Sequence, residues 1–467
     1  MNQTNIVGFD RSNRSWATKA SERSIARIPK LDGVLLVDDV SLDEAADDFG
    51  HLRHLRPIAV LEPASNEDVI KMVGFANENG IKIAARGRGH SAFGQSQVEG
   101  GIQIQMGTLT TPPVFTDDKV VVNSGMSWIQ VLSATLQHGL RPPVITQSPE
   151  ITVGGTLSVG GVDGGSYRYG AQVDNVLEMQ IVTGEGRLVT CSADQEPQLF
   201  NAVLAGLGQC GIILSATLRL MHAETHARIF RLTYPDLSSL LHDARLLVAE
   251  ERFDRFHGRV VPSPTGTWGY FLIAARNYTP PITLNNPDLL KGLNFIKESL
   301  AVNDSSYLQY ADRSLQFAIL KDSGRIKLPH PWFQVLTPDS VTEELATEVL
   351  TQLSPGEFGD DLPVEIFPLK PEKCTRPLFR LPDESVVFGF GAESTLPKPE
   401  TASEMLERNG RFYSRAKELG CKLYPVCAVP FTHQDWQEHF NPFWEQFSSA
   451  KRLYDPGNIL TPGPGIF

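Results

Sequence analysis

Residues 57–91 read PIAVLEPASNEDVIKMVGFANENGIKIAARGRGHS, and this stretch indicates how the first part of the chain folds. Two apolar runs flank a segment that has helical periodicity. Residues 63–65 interrupt the first run, residues 67–68 are acidic as in a first helical turn, and Asn-Gly at 79–80 suits a helix end. We therefore predict a strand, a capped helix and a second strand, followed by a glycine-rich loop.

That loop, residues 87–91, carries His90 between glycines that let the backbone approach a bulky partner closely. A flat or phosphorylated group could bind against it. The same residues could equally form a surface turn with an incidental histidine, because a lone histidine is weak evidence for a site. The loop alone leaves both interpretations open.

A second glycine-rich segment covers residues 152–170 and contains seven glycines. Glycines expose backbone N–H groups, so the segment could hold a pyrophosphate. A pair of tight turns would also require glycines and is the alternative. The hydroxyls of Thr152, Thr156 and Ser158 are interleaved with the glycines, which favours the phosphate cradle over the turns.

Residues 206–211 (GLGQCG) match the glycine spacing of a dinucleotide-binding turn. However, the predicted helix precedes these glycines and the predicted strand follows them, which is the reverse of the order in a Rossmann site. A nicotinamide site is therefore disfavoured, and the segment is either a helix-to-strand connection or a close backbone approach to a ligand. The motifs of P-loop nucleotidases, zinc proteases and α/β-hydrolases do not occur in the sequence.

The residue composition and the hydrophobic pattern of the chain change near Ala223. Before it, glycine is frequent and strands alternate with helices. After it, aromatic and alternating runs such as 268–278 follow one another with charged helical segments such as 340–353, which predicts an antiparallel sheet with helices packed on it. We expect the aromatic residues of these later β-like runs to pack in the core more often than to line a substrate pocket. They are Trp332, Phe333, Phe388, Phe390 and Tyr424.

The amino-acid composition and the net charge indicate the general class of protein and exclude some kinds of partner. A chain of 467 residues, 41% hydrophobic and 21% charged, suits a folded protein with more than one domain. Its net charge of −12 disfavours nucleic acid as a partner. We find no signal-like or membrane-spanning apolar stretch, so we expect a cytoplasmic location and no membrane partner. The five cysteines lack C-x-x-C spacing, which indicates free thiols and no zinc site.

Taken in order, these segments resemble the FAD-dependent oxidoreductases of the vanillyl-alcohol oxidase superfamily, which share a PCMH-type FAD-binding domain, and are most similar to the cytokinin dehydrogenases. The resemblance covers about residues 40 to 467. The segments that carry it are GRGHS at 87–91, TVGGTLS at 152–158, NVLEMQIVTGEGRLVTCS at 175–192, LFNAVLAGLGQCGII at 199–213, PHPWFQVLTP at 329–338 and YDPGNILTPGPGIF at 454–467.

The resemblance implies an α+β fold with two domains. Residues 1–222 would form the PCMH-type FAD-binding domain, with its core at about 53–222. Residues 223–423 would form the substrate-binding cap domain, an antiparallel sheet with flanking helices, and residues 424–467 would return to the FAD-binding domain.

The resemblance also implies that FAD is bound covalently, through the imidazole of His90 to the 8-methyl carbon of the flavin. Relatives with two covalent bonds carry a cysteine in the segment that corresponds to 158–170; this chain has none there, so one bond is expected. The other expected FAD-binding residues are Arg86, Gly87, Arg88, Gly89, Ser91, Gln95, Thr152, Gly154, Gly155, Thr156, Ser158, Gly208, Gly211, Ile212, Ile213 and Tyr424.

One position departs from the family. Where cytokinin dehydrogenases carry an aspartate that accepts the substrate's proton, this chain has Gln147, whose amide cannot take a proton. Either Glu150 or another carboxylate such as Asp163 replaces it, or the substrate is different. Glu150 could also be a solvated loop residue without a role.

The function expected from the resemblance is that of an FAD-dependent oxidase or dehydrogenase. It would transfer a hydride to the flavin from a C–H next to nitrogen or oxygen of an amine, alcohol or natural-product intermediate, while Gln147 orients the substrate. Oxygen or another acceptor would reoxidise the flavin. The alternatives are a flavoenzyme of secondary metabolism that catalyses cyclisation or rearrangement with little or no net redox change, and a binding protein that retains a flavin without turnover.

Overall fold

A computed structural model describes residues 6–17, 25–263, 266–358, 364–395 and 401–467. Its strands are β1 (Gly8–Asp10), β2 (Ser15–Ala17), β3 (Ile25–Arg27), β4 (Val34–Leu36), β5 (Ala59–Glu62), β6 (Ile83–Arg86), β7 (Ile102–Gln105), β8 (Val114–Thr116), β9 (Lys119–Asn123), β10 (Leu140–Arg141), β11 (Val176–Val182), β12 (Leu188–Ser192), β13 (Ile212–Arg219), β14 (Met221–His222), β15 (His226–Tyr234), β16 (Arg255–Pro262), β17 (Trp268–Tyr278), β18 (Ala301–Ser306), β19 (Phe333–Pro338), β20 (Val364–Leu369), β21 (Val387–Ala392) and β22 (Lys422–Leu423).

The helices lie between these strands and after them. They are α1 (Asp39–Ala45), α2 (Asn66–Glu78), α3 (Trp128–Leu136), α4 (Val153–Leu157), α5 (Ser166–Tyr169), α6 (Pro197–Val203), α7 (Leu237–Glu250), α8 (Asn286–Leu289), α9 (Tyr307–Ala311), α10 (Ser314–Asp322), α11 (Asp339–Gln352), α12 (Ala402–Glu418), α13 (His433–Phe440) and α14 (Trp444–Tyr454). None of the described helices is both long enough and apolar enough to cross a bilayer.

The predicted strand, capped helix and strand are β5, α2 and β6. A capping box starts α2: the Ser65 hydroxyl accepts the N–H of Asp68, and the Asp68 carboxylate accepts the N–H of Ser65. Strand β7 pairs in parallel with both β5 and β6 and so lies between them, and β4 pairs antiparallel with β5. Strand β6, the last in the order β4-β5-β7-β6, leads directly into the loop that carries His90.

A five-stranded antiparallel sheet, in the order β12-β11-β13-β9-β8, forms the next layer. The hairpin β11–β12 turns at residues 183–187, as the Gly-Glu-Gly sequence indicates. Helix α6 precedes the glycine-rich residues 206–211 and β13 follows them, which confirms the helix-before-strand order that argued against a Rossmann site.

The later part of the chain forms an eight-stranded antiparallel sheet in the order β18-β15-β17-β16-β20-β21-β19-β22. Helices α7, α11 and α12 pack on it. This confirms the predicted antiparallel sheet with flanking helices. Phe333, Phe388 and Phe390 are buried in its core, as expected from their positions in the strands.

One apolar cluster continues from the five-stranded sheet into the eight-stranded sheet. The C-terminal segment after α14 returns to the first part of the chain, where Leu460 forms a parallel bridge with Ile83 of β6. The division into domains at residues 222 and 423 stays a prediction, since the continuous core does not mark either boundary.

Candidate active site

A deep cavity lies between the loop at 87–91 and helix α4 on one side and the eight-stranded sheet on the other. Most of the sequence-predicted site residues line it. They are Gly87, Arg88, Gly89, His90, Ser91, Gln95, Gln147, Thr152, Gly154, Gly155, Thr156, Ser158, Asp163, Gly208, Gly211, Ile212, Ile213 and Tyr424. The structure therefore brings together segments that are far apart in the sequence.

The loop at 87–91 lines this cavity and has backbone hydrogen-bond donors without a partner among the described residues. The carbonyls of Gly89 and Ser91 accept the N–H groups of Phe49 and Gly50, at 2.8 and 3.1 Å, and so face the N-terminal segment. The N–H groups of Arg88, Gly89 and Ser91 donate to no group within the described part of the chain. A row of unpaired backbone N–H groups at a cavity is the arrangement that binds a phosphate.

Helix α4 contributes differently from what the glycine pattern suggests. The N–H groups of Val153 and Gly154 donate to Met126 and Ser124 carbonyls, at 2.9 and 2.8 Å, so they are not open to a ligand. The helix instead lies against the loop: a Cβ at Gly87 would come within 2.1 Å of the Thr152 hydroxyl oxygen. Glycine at this position therefore permits the close approach that brings the loop and the helix to one cavity.

His90 lies in an aromatic setting at the edge of the cavity. Its ring centroid is 4.8 Å from that of Phe49 and 5.6 Å from that of Trp332, and Phe49 also stacks on His330 at 4.2 Å. Burial lowers the pKa of His90 to about 4, so the imidazole is neutral near pH 7. Trp332, expected in the core, thus also lines the cavity.

Two of the predicted residues, Arg86 and Glu150, do not line this cavity but a neighbouring one on the other side of His90. The Arg86 guanidinium donates to the carbonyl of Asp47 and holds the segment before the loop. Both carboxyl oxygens of Glu150 are buried with no hydrogen-bond partner among the described residues, and burial raises its pKa.

A hydrogen-bonded chain of polar side chains crosses the main cavity. The Asp163 carboxylate accepts the Nε–H of Arg255 at 2.8 Å and the N–H of Gly165 at 2.7 Å. A second N–H of Arg255 donates to the side-chain oxygen of Gln147, and the Gln147 amide donates to Glu365 at 3.3 Å. Gln147 is therefore fixed at both ends, and Asp163 is held in a buried ion pair.

Several cavity residues were not found from the sequence: Gln334, His257, Glu365 and Glu393, all on the eight-stranded sheet or at its ends. Glu365 is 7% exposed, and burial raises the pKa of its carboxyl. Burial and the nearby Glu365 raise the pKa of Glu393 well above its usual value, while the Gln334 amide donates to it at 2.9 Å. Arg255 and His257 alternate with apolar residues on one strand, which is the signal that could have indicated a polar cavity face.

These features fit FAD. The open N–H groups suit its phosphates, the neutral His90 imidazole suits attachment to the flavin, and the apolar residues Ile212, Ile213 and Trp332 suit a flat ring system. The polar network at Gln147 lies where a small polar substrate could be oriented.

Comparisons with known proteins agree with this site. The FAD binding domain family matches residues 57–192, and the family described as "Cytokinin dehydrogenase 1, FAD and cytokinin binding" matches residues 270–467. The similar relatives include cytokinin dehydrogenase 9 of Oryza sativa subsp. japonica, 34% identical over 94% of this chain and 91% of the relative. An uncharacterized oxidoreductase of the fasciation locus of Rhodococcoides fascians is 33% identical over 93% of this chain and 99% of the relative.

The solved structure of 6-hydroxy-D-nicotine oxidase from Arthrobacter nicotinovorans has a similar fold. It matches with a TM-score of 0.71 over 92% of this chain and 96% of that chain, at 21% identity. The site geometry, the two family matches and the full-length relatives lead to one conclusion. The chain belongs to the cytokinin dehydrogenase family and is an FAD-dependent oxidoreductase with the two-domain PCMH-type fold.

Proposed function

We propose that this protein attaches FAD covalently through His90 and oxidises a small amine or alcohol that enters the cavity beside Gln147. When bound, the flavin supplies the acceptor for a hydride from a carbon next to nitrogen or oxygen. The observation that carries the proposal is the position of His90, whose neutral ring lies at the edge of the cavity, next to loop N–H groups that are open to a phosphate.

Gln147 orients the substrate in this proposal. Its side-chain oxygen is taken by Arg255 and its amide nitrogen donates to Glu365, so it keeps one N–H for a substrate nitrogen or oxygen. The ion pair with Asp163 holds the Arg255 guanidinium in place, and Arg255 in turn holds the side-chain amide of Gln147. Asp163 thus acts as a positioning residue, since its carboxylate already accepts the N–H groups of Arg255 and Gly165.

The proton that leaves the substrate needs another acceptor. Of the carboxyls in the cavity, Glu365 is the one that Gln147 contacts, and burial raises the pKa of its carboxyl, so we assign the proton to Glu365. Glu150 is the weaker candidate because it faces the neighbouring cavity. The relatives do not favour the alternative of a rearrangement without net redox change.

The substrate of several relatives is named as a cytokinin, so a cytokinin is the first compound to test. The yellow protein would be mixed under anaerobic conditions with isopentenyladenine, N-methylbenzylamine or benzyl alcohol. Bleaching of the flavin absorbance by one of them, with recovery on admitting oxygen, is the expected result. Bound flavin that none of the three reduces would contradict the proposed oxidation.

A further inference from the structure

Residues 48–50 precede β5 and lie against the loop that carries His90, and we call them the anchor strap. The last two N–H groups of the anchor strap donate to the carbonyls of Gly89 and Ser91, at 2.8 and 3.1 Å. These two carbonyls belong to the residues immediately before and after His90. The anchor strap therefore fixes the backbone on both sides of the histidine.

The side chain of Asp48 adds hydrogen bonds to the same loop. Its carboxylate accepts the hydroxyl of Ser91 at 2.9 Å and the N–H of Gly94 at 2.7 Å. Asp48 is 3% exposed, so breaking these bonds would leave a buried carboxyl unsatisfied, at a cost in free energy. A Cβ on Gly50 would come within 1.9 Å of the Ala92 carbonyl oxygen, so the two backbones are in close contact. The anchor strap thus has one fixed position against the loop.

This position places the ring of Phe49 against two imidazoles. Its centroid is 4.8 Å from that of His90 and 4.2 Å from that of His330, and the planes of Phe49 and His330 are 4° apart. His330 is fully buried, one of its ring nitrogens lies 3.1 Å from the Thr395 hydroxyl, and its backbone N–H donates to the Gly50 carbonyl at 2.9 Å. Phe49 therefore packs on a residue that is itself held in place.

Covalent attachment of the flavin depends on the direction of the His90 ring. A ring nitrogen forms a bond to the 8-methyl carbon, and the imidazole and the methyl group each release one hydrogen as a proton. The electron pair of the broken C–H bond passes to the flavin, and dioxygen removes it. Such a bond forms quickly only between aligned atoms, and a misplacement of about 1 Å can slow the step about 100-fold. The imidazole turns about two single bonds, so a ring packed against it restricts its direction.

From these contacts we infer that Phe49 is a positioning residue whose ring orients the imidazole of His90 for covalent attachment of FAD. The inference rests on the proposed function and deepens it. Phe49 lines the neighbouring cavity and not the main one, and its side chain is neither a nucleophile nor an acid or base. It therefore acts through His90 and not through contact with the substrate.

The test separates the rate of attachment from the binding of FAD. FAD is added in air to flavin-free Phe49→Leu protein, and the appearance of acid-stable yellow colour is followed at saturating FAD. We expect the rate to fall by about tenfold to a hundredfold, because the His90 ring loses its orientation. The dissociation constant of FAD is measured with His90→Ala protein and with the same protein carrying Phe49→Leu. The two values should agree within about twofold, since binding does not need the orientation of His90.

The matched control is Phe75→Leu. Phe49 and Phe75 are both buried, at 9% and 7% exposed, but Phe75 lies on α2 in a different apolar cluster, so its replacement should leave the attachment rate unchanged. Phe49→Met, a milder change of shape, provides the same comparison if Phe49→Leu does not fold.

Three results would overturn the role of Phe49 and leave covalent attachment intact. They are an unchanged attachment rate in the folded Phe49 variant, an equal loss of rate in Phe75→Leu, and a weakening of FAD binding as large as the loss of rate. Unchanged protein that never forms acid-stable flavin would instead refute the proposed attachment, and the role of Phe49 with it.

Discussion

At the scale of single residues, His90 combines a neutral ring with a packed environment. Phe49 and Trp332 both pack against the ring, and burial lowers the pKa of His90 to about 4. An imidazole must be neutral to act as a nucleophile. The protonated form is therefore negligible through the whole range in which an exposed histidine would titrate.

This predicts how covalent flavin attachment depends on pH. When FAD is added to flavin-free protein, the rate at which acid-stable yellow colour appears should show no inflection near about 6.5, the pKa of an exposed histidine. His90→Ala should hold no acid-stable flavin, whereas His222→Ala, at an exposed position, should behave as the unchanged protein. A clear inflection near that pH would contradict the assignment of a buried neutral anchor.

The cavity residues also show what a sequence can reveal at this scale. The glycine-rich loop around His90 indicated a candidate site by its own pattern, whereas Gln147 and Asp163 were named only through the resemblance to the cytokinin dehydrogenases; all three residues line the cavity. Glu365 lies in the apolar strand β20, and Glu393 directly follows the apolar strand β21. Their importance depends on which face of the sheet they occupy and on the register with Gly391, and both are set by long-range strand pairing.

At the scale of elements, the C-terminal segment is tied to the glycine-rich segment at 206–211. The Lys451 ammonium, buried in α14, donates to Asp455 at 2.7 Å and to the Gln209 carbonyl at 3.0 Å. Asp455 in turn accepts the N–H groups of Ile459 and Leu460. One buried ion pair thus fixes both the end of α14 and the segment that returns to β6.

Removing this pair should destabilise the protein strongly. Lys451→Met leaves Asp455 buried without its counter-charge, which is expected to cost about 3–5 kcal/mol of unfolding free energy, measured by urea denaturation. The control is Lys71→Met, whose partner Glu67 is exposed and 3.9 Å away, and it should change little. Equal effects of the two substitutions would show that the buried pair does not hold the C-terminal segment.

Elements near one another in sequence were the easier ones to predict. The capped start of α2 and the turn between β11 and β12 are local, and the sequence pattern predicted both. The position of β7 between β5 and β6 could not be read in the same way, because a strand that follows another in the chain can pair with either edge. The order of the eight-stranded sheet has the same origin in long-range pairing.

At the scale of the whole molecule, the cavity joins the two halves of the chain. One side consists of the loop at 87–91 and α4, and the other of the eight-stranded sheet. A ligand that fills the cavity contacts both sides, and it binds the folded state only. Its binding free energy should therefore stabilise the molecule as a unit.

The His90→Ala protein, freed of flavin, allows this to be measured. Adding FAD to about a hundred times its dissociation constant should raise the unfolding free energy by about 2.7 kcal/mol and shift a single thermal transition upward. Adding the nicotinamide dinucleotide, which lacks the flavin ring, should shift it less. A transition that FAD leaves unmoved would contradict the placement of the cofactor in this cavity.

The expected FAD-binding residues lie mostly in the loop at 87–91 and in α4, whereas Glu365 and Gln334 line the cavity from the eight-stranded sheet. Side chains of a strand alternate between the two faces of a sheet, so those facing the cavity can be exchanged while the buried face stays intact. Substitutions at a few strand positions, such as Glu365 and Gln334, would therefore change which molecules fit the cavity during evolution. The residues expected to bind FAD would stay the same.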